Sequence, residues 1–524
     1  MRREEMVARL ERREGPWDMV VVGGGATGIG IAVDAAARGD DVVLLEGHDF
    51  GKGTSSRSTK LVHGGVRYLR QGNIPLVMDA LRERGILRGN APHLVSDLAF
   101  VVPNYDWWEA PFYGIGLKVY DALAGRYGFG PSKLLSRSET IERLPTIETD
   151  GLRGGVVYHD GQFDDARLLI HLARTAAELG GVLVNYASAT GLLKDASGTV
   201  CGVRARDHET GDAWELEAKV VINATGPFAD GLRRMDDDQA RPMIRASQGI
   251  HVVLARRFLP GDSAIMVPET DDGRVLFAVP WHDRVIVGTT DTPVDHIDLE
   301  PRPLQEELDF VLEHAARYLT EDPGPDDVLS AFAGLRPLVG SDDADDTAAL
   351  SRDHTLQISS SGLVTITGGK WTTYRKMAED TVDHAAVIAG LEPVPCTTKD
   401  LQIHGYHPAA ERFGRRAVYG SDVPELDVLA TSDTEWALPL HDRLPAQRVE
   451  VVWAARHEMA RTVEDVLSRR TRSLLLDAAA SVEVAPLVAR MLAAELDRSD
   501  EWVADQVAEY TALAAGYRAG GAAS

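Results

Sequence analysis

Apolar residues in this chain recur in two rhythms. Unbroken runs of strand type end at or near glycine: Met19-Val-Val-Val22, Val42-Val-Leu-Leu45, Val220-Val-Ile222 and Leu363-Val-Thr-Ile-Thr367. Runs without polar alternation belong to strands covered on both faces, as in a parallel sheet. Helical spacing marks 29–38, 74–88, 161–179, 304–318 and 371–387. From residue 240 to 340 strand-like runs return at Gly249–Leu254, Arg274–Val279, Arg284–Gly288 and Val328–Ala333, and this mixed block reads as a domain inserted into the first. Beyond Pro395 the texture turns helical. Val452, Ala455, Met459, Val463 and Val466 follow steps of three and four, which predicts helix across them.

The first run continues as Gly23-Gly-Gly-Ala-Thr-Gly28, so that Gly23, Gly25 and Gly28 fall at G-x-G-x-x-G spacing between a strand and an Ala-rich helix. In that context Gly23 permits the tight turn, Gly25 lets backbone approach a pyrophosphate, and Gly28 lets helix and strand pack closely. The helix amides and dipole then face the phosphates. Glu46, closing the second run, is placed to accept hydrogen bonds from a ribose. The segment by itself leaves NAD and FAD both open. The fold class expected is α/β: a discontinuous Rossmann-like nucleotide-binding domain (17–100, 160–240 and 345–395), an inserted α+β cap or substrate domain (101–159 and 241–344), and a C-terminal helical domain (400–524).

Composition narrows the partners. The formal net charge of −25 argues against nucleic acid and against nonspecific docking on anionic lipid. Cys201 and Cys396 share no motif spacing, so neither a disulfide framework nor a cysteine metal site is expected, and no metal is predicted. No secretory leader precedes Trp17 and no apolar run approaches membrane-spanning length, so an intracellular protein is expected. In so acidic a chain, any anion site must gather its cations locally.

Four stretches carry candidate chemistry. The loop from Gly51 to Tyr68 is rich in glycine and small hydroxyl residues (Thr54, Ser55, Ser56, Gly65) and also holds Lys60, His63, Arg67 and Tyr68, a composition suited to wrapping a cofactor. Arg67, Arg336, Arg352 and Lys370 each sit at the end of an apolar run or in a glycine-rich turn, where an inserted domain meets a sheet. Their convergence would make a phosphate pocket with bidentate arginine recognition. His251, alternating with apolar neighbours, suits a packed core position or a base for a substrate hydroxyl. Residues 107–129 hold seven aromatics, including Trp107 and Trp108, which fits either an interfacial anchor or packing between domains.

The chain resembles the FAD-dependent glycerol-3-phosphate dehydrogenases of the quinone-linked respiratory type. The matching runs are Gly23–Gly39, Thr54–Leu69, Asn223–Asp230, Gly288–Pro293, Gly334–Leu338, Ser351–His354, Thr367–Glu379 and Arg456–Arg472. Arg57 and Trp371 depart from the commoner residues of the family. The resemblance implies non-covalent FAD held by Gly23, Gly25, Gly28, Glu46, Thr54, Ser55, Ser56, Lys60, Gly65, Gly226, Gly369 and Thr372. It implies sn-glycerol 3-phosphate bound by Arg67, Tyr68, Arg336, Arg352 and Lys370, with His251, Arg336 and Lys370 at the chemistry. Its product would be dihydroxyacetone phosphate, formed by hydride transfer to the flavin, with electrons passing to a membrane quinone. A cytoplasmic protein peripheral to the inner face of the cell membrane is expected, with a homodimer or an anchoring subunit as possible partners. Three alternatives stay open: an oxidase that uses oxygen, an amine or amino-acid oxidase of the same fold, and a non-catalytic flavin-binding module.

Overall fold

The computed structural model describes residues 1–66, 73–106, 109–268, 270–271, 273–340 and 353–521, without side-chain detail at 110 and 111. Arg67, Tyr68, Trp107, Trp108, Arg352 and the acids from Asp342 to Asp346 lie outside the described residues.

The buried apolar runs assemble as a parallel sheet. Its main path is His354–Ile358, Val364–Gly368, Ala213–Asn223, Trp17–Val22, Val42–Leu45, Val182–Val184, with the His354–Ile358 edge antiparallel; Val200–Asp207 and Ala187–Lys194 add antiparallel strands beside the start of Ala213–Asn223. In register, Val22 lies between Leu45 and Asn223, so three strands end level. Gly23, Glu46 and Ala224 therefore meet along one carboxyl edge, the place where open α/β sheets bind ligands. Helices Ala26–Arg38 and Asp165–Glu178 cover this sheet together with Tyr374–Ile388.

The second sheet is mainly antiparallel and is centred on Ile244–Ala255, which pairs with Arg284–Gly288, Thr292–Val294 and Val328–Val339. Leu61–Val62, Val95–Asn104 and Gly154–Phe163 extend it. Alternation decides its faces. Ile250, Val252, Leu254, Ala331 and Ala333 enter an apolar core, while Gly249, His251, Gly334 and Arg336 line a cavity on the other side.

Two expectations about elements are corrected. Residues 161–163 are strand rather than helix, because Gly161 and Gln162 pair with Val62 and Leu61; the helix starts after Asp164, whose carboxylate accepts from Arg167 N at 3.1 Å. The helix expected through Val452–Val466 ends at His457. Met459 takes a left-handed φ of 55°, Glu458 turns into the protein to meet Arg167 at 2.6 Å, and Asp465–Arg470 resumes as a π-helical turn that brings Arg469 and Arg470 onto buried Asp49. Buried charge pairing overrides apolar period there. The N-terminal extension, which matches nothing in the resemblance, forms helix Arg3–Glu11, and Arg3 donates to Asn185 O and pairs with Asp207.

Candidate active site

The glycine turn is closed by contact rather than by choice of flexible residues alone. A Cβ at Gly28 would lie 1.9 Å from Gly23 O, and one at Gly23, whose φ is 114°, would lie 2.5 Å from Ala224 O. Helix Ala26–Arg38 begins at Gly25 with no side-chain cap, although Ser55 Oγ accepts from Ala26 N at 2.9 Å. The remaining first-turn amides are thus available to an anion. Glu46 accepts from Gly24 N at 2.6 Å and from His48 N at 2.8 Å. Burial pushes its carboxyl above the usual range, against those two amides. An elongated cavity runs from this turn past Glu46, Ser188 and Thr225–Gly226 to Gly369 and Trp371. A glycine cradle at one end, and continuity at Gly368–Trp371 with a second cavity at the other, fit FAD.

A second cavity of about 330 Å³ shares Thr54, Gly368, Gly369, Lys370 and Trp371 with the first. Among the described residues its lining carries Arg57, Arg274, Arg336 and Lys370 against Asp160 and Asp291, a local cation excess in an acidic chain. Strand register builds its core: Ser247 pairs with Arg336 and with Pro293, and His251 with Gly288 and Phe332. Arg336 donates to Asp291 Oδ1 at 3.1 Å, to Thr290 O at 2.9 Å and to Thr289 Oγ1 at 3.3 Å. Its guanidinium passes over Gly249, where a Cβ would come within 2.4 Å of Nη2. Ser247 in turn donates to Asp291. His251 is buried, stacked on Phe332 with centroids 5.0 Å apart, and shares a 2.8 Å hydrogen bond with Thr59 through Nε2. Burial, and then the charges of Lys60 and Arg336, hold its pKa well below the usual value, so the ring is neutral.

The expected site residues divide by placement. Gly23, Gly25, Glu46, Ser55 and Gly226 line the elongated cavity; Gly65, His251, Arg336 and Thr372 line the second; Thr54, Gly369 and Lys370 line both. Gly28 sits behind the turn. Ser56 and Lys60 line neither cavity. The Lys60 ammonium is buried on Asp165 at 2.8 Å and on Ser56 O at 2.6 Å. It braces the loop, which sequence alone could not distinguish from cofactor contact. Trp371 begins a 3₁₀ turn ahead of helix Tyr374–Ile388 and donates from Nε1 to Ser55 O at 2.8 Å, so it ties the Gly51–Val66 loop to the Gly368–Thr373 turn. Thr59 and Asp291 were not singled out in sequence. Asp291 lies within the Gly288–Pro293 run, and an acid in a turn between two strands of the same sheet was the signal available.

Arg57 shows how the far end of the chain reaches this cavity. It pairs with Glu300 at 2.7 Å, and Glu300 also receives Lys52 at 2.8 Å and the Tyr517 hydroxyl at 2.5 Å. Burial opposes ionisation of Glu300, but Arg57 and Lys52 hold its pKa down to about 2. A carboxyl depressed in the folded state supplies stability that is full above its ordinary pKa of 4.5 and lost as pH falls through the folded value of about 2. Glu300→Gln therefore melts below the parent near neutral pH, by an amount equivalent to about 3–5 kcal/mol for a broken buried pair. The two melting curves converge as pH approaches 2, which scanning calorimetry across pH would show.

A nucleotide edge on a parallel sheet, opening into a cavity roofed by an antiparallel sheet, defines the class of flavin-dependent oxidoreductases. The family model described as FAD dependent oxidoreductase matches residues 18–375, and the C-terminal domain of alpha-glycerophosphate oxidase matches 364–503. Mitochondrial glycerol-3-phosphate dehydrogenase of Mus musculus is 40% identical, over 92% of this chain and 71% of its own. The mitochondrial enzyme of that name from Arabidopsis thaliana is 41% identical, over 92% and 83%. The crystal structure of glycerol-3-phosphate dehydrogenase from Bacillus halodurans complexed with FAD superposes with a TM-score of 0.80 at 30% identity, covering 98% of this chain and 97% of that one. The chain belongs to the FAD-dependent glycerol-3-phosphate dehydrogenase family.

Proposed function

We propose that the chain oxidises sn-glycerol 3-phosphate to dihydroxyacetone phosphate and hands the electrons to a membrane quinone. The observation that carries the substrate is the pinned Arg336 and Lys370 lining one cavity with His251, beside the nucleotide cavity. Bound FAD supplies the hydride acceptor. Arg336, its plane fixed by Asp291 and the Thr289–Thr290 backbone, presents a preorganised charge to an anionic group and need not reorganise on binding. Lys370, at the junction of both cavities, lowers the cost of charge developing on the alcohol oxygen. Arg67, Tyr68 and Arg352 are proposed to join them. The neutral His251 ring offers a hydrogen bond at the hydroxyl being oxidised. An amine or amino-acid oxidase needs no pocket for a doubly charged phosphate, and a non-catalytic flavin module has no use for so constrained a histidine.

The acceptor is tested by reducing the protein with glycerol 3-phosphate and mixing it with either a short-chain quinone or air-saturated buffer. Rapid reoxidation by quinone with little peroxide is expected. Stoichiometric peroxide at comparable rate sinks the quinone reading and favours the oxidase.

Among the described residues no helix is long and apolar enough to cross a membrane. We assign peripheral contact at the inner face of the cell membrane to helix Glu109–Ala124. Ile115 and Val119 stand exposed on it and, with Leu134, line an apolar groove rimmed by Lys118 and Lys133; Phe112 is exposed on the same helix. Apolar side chains flanked by lysine suit an interfacial surface. Ile115→Glu combined with Leu134→Glu is expected to weaken vesicle co-sedimentation by about tenfold or more, while activity with a soluble acceptor is unchanged. Equal binding by both proteins contradicts the assignment.

A further inference from the structure

The polar environment of His251 is one-sided. Its Nδ1 is buried with no hydrogen-bond partner among the described residues, so the 2.8 Å bond between Nε2 and Thr59 Oγ1 is the ring's polar anchor. The faces are set by packing: Phe332 stacks on the ring with an interplanar angle of 18°, and Gly288, its partner in register, leaves so little space that a Cβ there would lie 2.4 Å from ring Cδ2. Packing of this kind fixes the ring plane. It does not choose between the two orientations related by a half-turn about the ring axis, which exchange nitrogen and carbon at nearly the same shape. Only a polar partner chooses, and Thr59 is that partner.

Thr59 is itself held. Ser58 donates to Asp165 from its amide at 3.1 Å and from its hydroxyl at 2.7 Å, and Lys60 reaches the same carboxylate at 2.8 Å. Lys60 adopts a left-handed φ of 62°, and its ammonium lies 5.4 Å from the centre of the Phe332 ring that stacks on His251. Asp165 opens helix Asp165–Glu178 in the body of the nucleotide-binding sheet. A continuous path of short contacts thus runs from that helix through residues 58–60 to the histidine on the other sheet, and Thr59 and His251 both line the cavity.

We propose that Thr59 is a positioning residue for the oxidation: its hydroxyl selects the orientation of the neutral His251 ring that keeps Nε2 at the wall of the substrate cavity, and it yields that nitrogen to the substrate hydroxyl on binding. This rests on the proposed role of His251 in glycerol 3-phosphate oxidation and adds the group that makes the role possible. The hydroxyl is required and the methyl is not. Loss of the hydroxyl leaves the ring in place but free to flip, so it affects the rate more than substrate affinity, which the cations supply.

The test compares Thr59→Val, Thr59→Ser, His251→Asn and the double variant Thr59→Val/His251→Asn as purified flavoproteins, following flavin reduction by glycerol 3-phosphate. Thr59→Val is expected to lower the rate about 10- to 100-fold with KM within about threefold, the scale on which misplacement of a catalytic group acts. Thr59→Ser is expected to keep the parental rate within about threefold, and the double variant to be no slower than His251→Asn within the same factor, because the two residues act as a unit. A Thr59→Val protein at parental rate, a Thr59→Ser protein as slow as Thr59→Val, or losses that multiply in the double variant each overturn the assignment. If Thr59→Val does not retain flavin, Thr59→Ala takes its place with the same expectations. Failure of the parental protein itself to be reduced by glycerol 3-phosphate defeats the substrate reading instead, and is seen before any variant is made.

Discussion

Arg336→Ala lowers kcat/KM for glycerol 3-phosphate by about 100- to 1,000-fold, the loss typical when a preorganised charge-stabilising donor is removed. Two effects combine. The cavity loses a guanidinium whose position is set by Asp291, Thr290 O and Thr289 Oγ1. Asp291, a buried carboxylate that also accepts from Ser247, loses the guanidinium it pairs with, so the local potential shifts toward negative. The variant discriminates much less than the parent between glycerol 3-phosphate and glycerol, because the recognition removed is recognition of the phosphate. Arg336→Lys recovers only part of the loss, since an ammonium does not reproduce the fork that Asp291 and the strand carbonyls hold in plane. Steady-state kinetics on both alcohols measures all three expectations. Parental activity in Arg336→Ala contradicts the assignment of this cation to the substrate.

Gly28→Ala yields protein with little or no flavin. The added Cβ falls 1.9 Å from Gly23 O, a backbone atom that cannot retreat because Gly23 is itself pressed against Ala224 O. Helix Ala26–Arg38 must therefore move away from the strand, and the amide ring at its start opens. An overpacked site costs about 1–3 kcal/mol. Here that cost falls on the phosphate-binding turn, so it is expressed as lost cofactor affinity before lost fold. Absorbance of the purified protein and the flavin concentration needed to restore activity report it. Gly25→Ala is milder, since its Cβ would meet only Ser55 Oγ, a side-chain atom, at 3.1 Å.

The two predictions mark where the sequence was informative and where it was not. The fingerprint of the nucleotide turn lies between Met19 and Glu46, so spacing alone exposed it, although a Cβ at Gly23 would meet Ala224 O and one at Gly25 would meet Ser55 Oγ, both outside that stretch. The substrate cavity is built by register. Ser247 and Arg336 come from two paired strands and Asp291 from the turn ahead of a third, and Thr59 meets His251 across 192 positions, so no window of sequence contains their geometry. Local pattern singled out His251, Arg336 and Lys370, and family resemblance gave them roles, but neither gave the neighbours around them. Lys60 shows the opposite error. A lysine among glycines and hydroxyls has the composition of a cofactor loop, yet its charge is buried on Asp165. The helix broken at His457 has the same cause: Glu458 leaves the apolar period to meet Arg167, a partner 291 residues away in the chain. Long-range ion pairs in this acidic protein decide what periodicity cannot.

The second cavity of this FAD-dependent enzyme is proposed to take glycerol 3-phosphate. Anaerobic addition of glycerol 3-phosphate to the purified flavoprotein tests it most directly. Loss of the oxidised flavin's visible absorbance within the mixing time of a turnover, with one dihydroxyacetone phosphate formed per flavin and no bleaching by glycerol at the same concentration, is the predicted result. A flavin that keeps its colour with glycerol 3-phosphate, or that bleaches equally with glycerol, contradicts it.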